Sequence, residues 1–208
     1  MSTAPAWGSE APGAKPWVCE GRRVIITISG RPGSGKSVVA SKVANVLGIR
    51  HVSAGDFMRE MAAERGISIL ELSRLAEMDD AIDTEIDSRT RDLADSGDDF
   101  VIDARLGWRF VPESYKVFLD VSPEVAARRI YGAKRGTERE NIDLETTYAA
   151  IESRTRSETS RYQDYYGLDY TDPANYDLVV DTSELTVDQV VYEILSGSQS
   201  DGLDHDRQ

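Results

Sequence analysis

Eight consecutive residues, Gly30-Arg31-Pro32-Gly33-Ser34-Gly35-Lys36-Ser37, carry the strongest chemical signal in the sequence. They fit the pattern G-x-x-x-x-G-K-[ST] without a mismatch. The glycines permit a turn tight enough for backbone N–H groups to converge on one concavity. The helix that follows turns its positive end toward the same place. A nucleoside triphosphate suits such a cradle: Lys36 reaches its β- and γ-phosphates, and the Ser37 hydroxyl serves Mg²⁺. With Val38 directly after, the donor-binding stretch is Gly30, Arg31, Pro32, Gly33, Ser34, Gly35, Lys36, Ser37 and Val38.

Three further groups speak to the acceptor. In Ser53-Ala54-Gly55-Asp56-Phe57-Met58-Arg59, Arg59 falls on the first turns of a helix, where a guanidinium can hold a phosphate bidentately. Ser53, Gly55 and Asp56 stand beside it as substrate-side candidates. In Asp103-Ala104-Arg105, both charged residues end an apolar run. Ligands of doubly wound sheets bind beyond the carboxyl ends of strands. Asp103 suits Mg²⁺ through water, and Arg105 suits a second clamp on the acceptor phosphate; a simple ion pair between the two is the plain structural alternative. The third group is the later arginines Arg128, Arg129, Arg135, Arg139, Arg154 and Arg161. Phosphoryl transfer spreads charge over the equatorial oxygens of the moving group, and arginines on a closing lid stabilise that charge and exclude water. The candidates among them are Arg128, Arg154 and Arg161, with Arg135 a weaker one. Spaced by seven, Arg154 and Arg161 share a helix face.

Alternating elements must position these groups. Val24–Ser29 reads as a buried strand, and Val38–Leu47 as a helix ending at Gly48. Arg50–Ser53 is a short strand. Ser53 then reads as the N-cap of a helix over 55–65, with Asp56 as its capping-box-like partner. Helices are expected over Ile67–Ala76 and Asp79–Ala94, and strands at Phe100–Asp103 and Lys116–Val121. Pro123 opens the next helix at its first turn. A long polar helix over 143–165, a strand at Asp177–Asp181 and a helix at Val187–Leu195 complete the pattern. Strand-helix alternation predicts an α/β fold: a parallel sheet flanked by helices in three layers, the P-loop nucleoside triphosphate hydrolase fold. One domain spans 22–196, with an acceptor-binding segment at about 53–96 and a lid at about 128–161. Residues 1–21 and 197–208, lacking periodicity, read as flexible tails.

Composition narrows the partners. A formal net charge of −13 argues against a broad nucleic-acid surface, which needs clustered Lys and Arg. With Cys19 as its single cysteine and His51 and His205 far apart, the chain predicts no disulfide within itself and no metal cluster. It shows neither a membrane-length apolar run nor a standard signal peptide, so a cytoplasmic location is expected.

The chain resembles the nucleoside monophosphate kinases, and within them the archaeal-type cytidylate kinase family. The P-loop carries the resemblance together with Val52-Ser53-Ala54-Gly55-Asp56-Phe57-Met58-Arg59-Glu60-Met61-Ala62, Glu64-Arg65-Gly66 and Ile82-Asp83-Thr84-Glu85-Ile86-Asp87. Arg105-Leu106, Arg161-Tyr162 and Tyr166-Gly167-Leu168-Asp169 extend it over roughly 24–196. The resemblance implies transfer of the ATP γ-phosphoryl group to CMP or dCMP by a monomer. It also implies Lys36 and Ser37 on ATP and magnesium, Arg59 and Arg105 on the acceptor phosphate, and lid roles for Arg128, Arg154 and Arg161. Asp103-Ala104-Arg105-Leu106 stands where the family commonly has Glu-Gly-Arg-Leu, Gly107–Phe110 is shorter than usual by about a residue, and Val38 replaces a common Thr. The first two departures touch the acceptor site and leave the base open.

Two other functions fit the same fold. A shikimate- or gluconate-type kinase would phosphorylate an alcohol, with Asp56 as the base. An ATP-binding protein without turnover would keep the loop and lose the chemistry. A GTPase would carry Asn-Lys-x-Asp, which the sequence lacks.

Overall fold

The computed structural model describes residues 23–67, 69–76, 78, 80–133 and 143–204. Five parallel strands form one sheet in the order β2-β3-β1-β4-β5: β1 (Ile25–Gly30), β2 (Arg50–Ser53), β3 (Phe100–Asp103), β4 (Tyr115–Asp120) and β5 (Leu178–Asp181). Every residue of β1 is buried, as an apolar, β-branched run at the centre of a two-sided sheet must be. The register places Ser53 opposite Asp103, Ile28 opposite Asp103 and Gly30 opposite Leu119. The acceptor-side and donor-side candidates therefore emerge from the same end of the sheet.

Helices cover both faces. On one, α1 (Lys36–Leu47) and α8 (Val187–Asp204) pack Val43, Leu47, Ile194 and Leu195 onto Ile26, Ile28 and Val101. Toward the other lie α2 (Ala54–Glu64), α3 (Ile69–Ala76) and α4 (Ala81–Asp95); Phe57 and Leu93 join Ile25, Phe100 and Ile102 there. The one-turn helix α5 (Gly107–Phe110) and α6 (Pro123–Gly132) flank β4. The long α7 (Leu144–Tyr166) packs against α6 and sends Tyr162 to Phe118 and Tyr170.

Most boundaries agree with the sequence reading. Gly48 closes α1 in the left-handed conformation, with its own N–H and that of Ile49 returning to Asn45 and Ala44. Asp143 caps α7 in a box with Thr146. Three readings are corrected. Ser53 does cap α2, but it accepts the Gly55 N–H, and Asp56 pairs with Arg59 instead of completing a capping box. The one-turn α5 was not foreseen, four residues being too few to show a period. The tail expected over 197–208 is helical as far as Asp204. Gly197, which reads as a stop, is where α8 crosses Tyr115: a Cβ there would stand 2.3 Å from the Tyr115 hydroxyl oxygen. The helix passes over β4 because that residue has no side chain. Residues 1–21, with Cys19, lie outside the described residues, as do Asp79, Arg135, Arg139 and His205.

Candidate active site

The P-loop leaves β1 at Gly30 (φ 147°) and enters α1 through Gly35 (φ 88°). A Cβ on Gly30 would lie 2.2 Å from the Leu119 carbonyl oxygen, so the first glycine is fixed by the close approach of β4. Gly35 at the N-cap offers no side chain to the first N–H groups of α1, which stay free for a ligand. Ser34 is buried beside them, and its hydroxyl finds no hydrogen-bond partner among the described residues. The loop is braced from outside. Arg129 of α6 donates to the Thr182 carbonyl (2.6 Å) and hydroxyl (3.0 Å), and the Thr182 hydroxyl donates to the carbonyls of Ser34 (3.3 Å) and Asp120 (2.9 Å). Arg31 reaches back to Asp120 at 2.7 Å. Lys36 folds over the loop and donates to the carbonyls of Gly30 (2.9 Å) and Arg31 (3.3 Å). Burial holds its ammonium pKa well below the usual value, and Arg105 pushes it the same way.

Arg105 faces the loop from the end of β3 and donates to the Gly30 carbonyl at 2.7 Å. The remainder of its fork meets Glu158 of α7, Nε to Oε2 at 2.8 Å and Nη2 to Oε1 at 3.3 Å. Glu158 also accepts from Arg154 Nε (3.0 Å) and from the Tyr170 hydroxyl (3.3 Å). One buried carboxylate thus joins Arg105 to Arg154 within reach of the P-loop. Burial would push the Glu158 pKa up, yet Arg105 and Arg154 outweigh it and bring the carboxyl to about 2.

The other candidates are distributed around this cluster. Asp103 accepts from the Ser53 hydroxyl at 2.7 Å and lies 3.2 Å from His51 Nε2, so it pairs with β2 and not with Arg105. Gly55 keeps the first turn of α2 open: a Cβ there would stand 3.3 Å from the Ser53 hydroxyl and 3.6 Å from the Arg59 guanidinium. Arg59 itself is exposed and held by Asp56, apart from the Arg105–Glu158 pair. Ser37 and Val38 are exposed at the start of α1. Arg128 points outward, whereas its neighbour Arg129 turns inward. Arg161 leaves the lid cluster altogether. It donates to the Ala76 carbonyl of α3 (3.3 Å), and its Nε lies 3.3 Å from Asp83 Oδ2 of α4.

Glu158, Arg129 and His51 are the site residues that sequence reasoning missed. Glu158 had one visible signal, its place four residues after Arg154 and three before Arg161 on a helical stretch.

The cytidylate kinase-like family model matches residues 25–184. The chain belongs to the cytidylate kinase-like family. Curated relatives agree. The cytidylate kinase of Natronomonas pharaonis is 41% identical over 169 residues, which cover 80% of this chain and 85% of the relative. That of Methanothermobacter thermautotrophicus is 42% identical over 160 residues, 77% of this chain and 96% of the relative. Solved structures match the fold. A shikimate kinase from Bacteroides thetaiotaomicron superposes with a TM-score of 0.59 at 15% identity, covering 85% of this chain and 97% of the other. A gluconokinase from Sinorhizobium meliloti 1021 gives 0.53 at 17%, covering 90% and 100%. This cytidylate kinase-like chain therefore has the P-loop kinase fold that the strand and helix pattern implies. Among the described residues no helix is long and apolar enough to cross a membrane.

Proposed function

We propose that this protein is a cytidylate kinase, transferring the γ-phosphoryl group of ATP to CMP or dCMP and releasing ADP and CDP or dCDP. The observation that carries the reading is the cation cluster beside the P-loop, Lys36, Arg105 and Arg154 gathered about Glu158, in a chain of the cytidylate kinase-like family. In the reaction an oxygen of the acceptor phosphate forms a bond to the γ-phosphorus while the bond to the β,γ-bridging oxygen breaks, and ADP leaves with that electron pair. The acceptor phosphate, with a second pKa near 6, is largely dianionic at neutral pH and requires no general base. What the site must supply is positive charge and alignment.

Lys36 is placed to meet the β- and γ-phosphates once it leaves the carbonyls of Gly30 and Arg31. Arg105 and Arg59 hold the acceptor phosphate, and Arg154 closes from the lid, with Arg128 joining it on closure. Gly30 to Val38 cradle ATP through backbone N–H groups, and Ser34 gains a phosphate oxygen for its unpartnered hydroxyl. Ser37 and Asp103 offer the hard oxygen donors that Mg²⁺ takes. Among the described residues no group of three or more His, Cys, Asp or Glu could hold an ion by itself. When bound, Mg²⁺ neutralises charge on the β- and γ-phosphates. By resemblance to its family, the protein acts as a monomer in the cytoplasm.

Alcohol phosphorylation fits less well, because the curated relatives that match most of this chain are cytidylate kinases, at 41% and 42% identity. An ATP-consumption assay with Mg²⁺ and separate additions of CMP, dCMP, UMP, AMP, GMP, shikimate and gluconate tests the proposal. Turnover with CMP or dCMP is the expected result. Turnover with an alcohol alone, or with no acceptor offered, overturns it.

A further inference from the structure

Three polar contacts run in a row along one side of α7. Glu158 binds Arg105 at the phosphate end. Arg161, a turn further on, lies against Asp83, and Tyr166 donates to Asp87 Oδ2 at 2.8 Å. At about 1.5 Å of rise per residue, Glu158 and Tyr166 stand about 12 Å apart along the axis. That is the scale of an extended nucleoside monophosphate, so the acidic pair on α4 occupies the end of the row where a base would lie.

Asp83 is the unsatisfied member of the row. It is 8% exposed, and its Oδ2 makes no hydrogen bond among the described residues. Arg161 Nε is only 3.3 Å away, yet that atom also lacks a hydrogen bond among the described residues: the two charges are close without being aligned. Asp83 sits in the first turn of α4, where a carboxylate favours the helix dipole. That accounts for an acidic residue there and not for burying it with an idle acceptor, which is destabilising. Asp87, one turn along, has its partner in Tyr166. Burial pushes the Asp83 carboxyl above the usual carboxylate range, and Arg161 opposes it; a charged form so poorly solvated gains most from a new donor.

Building on the cytidylate kinase reading, we propose that Asp83 selects the acceptor base, its Oδ2 accepting a hydrogen bond from the exocyclic 4-amino group of cytosine. A carboxylate is the natural acceptor for that group. Uracil turns a carbonyl oxygen to the same place, where two acceptors would face each other in a site emptied of water. Arg161 is a positioning residue whose charge favours the carboxylate form of Asp83 and which tethers α4 to α7, and Ala76 at the end of α3 fixes Arg161 in turn.

The test compares CMP, UMP and the monophosphate of pyrimidin-2-one riboside, which has cytosine's ring without its amino group. With the wild-type enzyme, kcat/KM for the pyrimidin-2-one nucleotide should fall about 10- to 100-fold below that for CMP, the range of a hydrogen bond to a charged group. In Asp83→Asn, CMP should lose a similar factor, the pyrimidin-2-one nucleotide should lose little, and the CMP preference over UMP should collapse. Equal use of CMP and the pyrimidin-2-one nucleotide by the wild type overturns the proposal without any variant. An equal loss on all three acceptors in a folded Asp83→Asn also overturns it, as a purely structural role. If the wild type uses no cytidine nucleotide, the functional reading itself falls, an outcome separate from either of these.

Discussion

Glu158 grips Arg105 with both carboxylate oxygens, at 2.8 and 3.3 Å, across the seam between α7 and the end of β3. The two side chains are only 12% and 13% exposed, so neither charge is well solvated without the other. Removing one partner of a buried pair typically costs about 3–5 kcal/mol. Glu158→Gln should therefore unfold at lower urea than the wild type at neutral pH. Glu158 has a folded pKa depressed to about 2 from 4.5, so its contribution is complete above pH 4.5 and disappears as pH falls through 2. The gap between the two proteins should close over that window. Turnover should fall as well, by about 100-fold, because Arg105 loses the brace that aims it. A variant with wild-type kcat and stability would show the pair to be incidental.

Lys36 carries a second consequence of burial. Its lowered pKa in the unliganded protein must rise when phosphates surround it, so ATP binding takes up protons in the pH range between the free and the bound pKa. Calorimetry in buffers of different ionisation enthalpy should register this uptake, and Lys36→Ala should abolish both the uptake and phosphoryl transfer. Buffer-independent heats at every pH would mean that Lys36 stays charged throughout.

The proposed acceptor role of Arg59 can be tested separately from ATP binding. Arg59 is exposed and paired with Asp56, a pairing of the kind worth about 1 kcal/mol or less. It can therefore be recruited by an incoming phosphate at small cost. Arg59→Ala should raise the KM for CMP by at least about tenfold and leave that for ATP nearly unchanged. Equal losses for both substrates would remove Arg59 from the acceptor side.

What could be read in advance was what depends on local sequence. Ile25–Gly30 is buried along its whole length and β-branched, and Gly48 and Asp143 are helix-end signals with a local mechanism. The P-loop is legible because its chemistry demands residue types at fixed spacing. The arginines were harder. Arg128 and Arg129 differ by one residue, yet a helix turns far enough per residue that one faces outward and the other braces the P-loop. Arg154 and Arg161 share a helix, but Asp83 and Ala76, contributed by other elements, draw Arg161 aside. In the sequence Glu158 stands four residues from Arg154, and only the fold reveals that Arg105 arrives opposite it. Each of these depends on a contact between residues distant in sequence.

Gly197 gives a mechanical prediction from the same kind of contact. A Cβ there would come 2.3 Å from the Tyr115 hydroxyl oxygen, so Gly197→Ala should destabilise the fold by about 1–3 kcal/mol, although alanine is the better helix former. Tyr115→Phe in the same chain removes the obstructing oxygen and should restore part of the loss. A stabilised Gly197→Ala would show that α8 shifts freely over β4.

Asp87 ties stability to pH in the opposite sense from Glu158. Burial raises its carboxyl pKa from 3.8 to about 6, and the hydrogen bond from Tyr166 restrains that rise. The folded state thus holds a proton that the unfolded chain releases at lower pH. The stabilising contribution is complete below pH 3.8 and is lost as pH climbs through 6. Over that interval Asp87→Asn should show a flatter stability profile than the wild type. Tyr166→Phe should move the upper end of the wild-type slope to higher pH, because the ionised carboxylate loses a donor. Urea unfolding at half-unit steps from pH 4 to 7.5 measures both effects. Identical profiles for the wild type and Asp87→Asn would mean that water reaches this carboxylate between α4 and α7 and that the row of contacts opens there in solution.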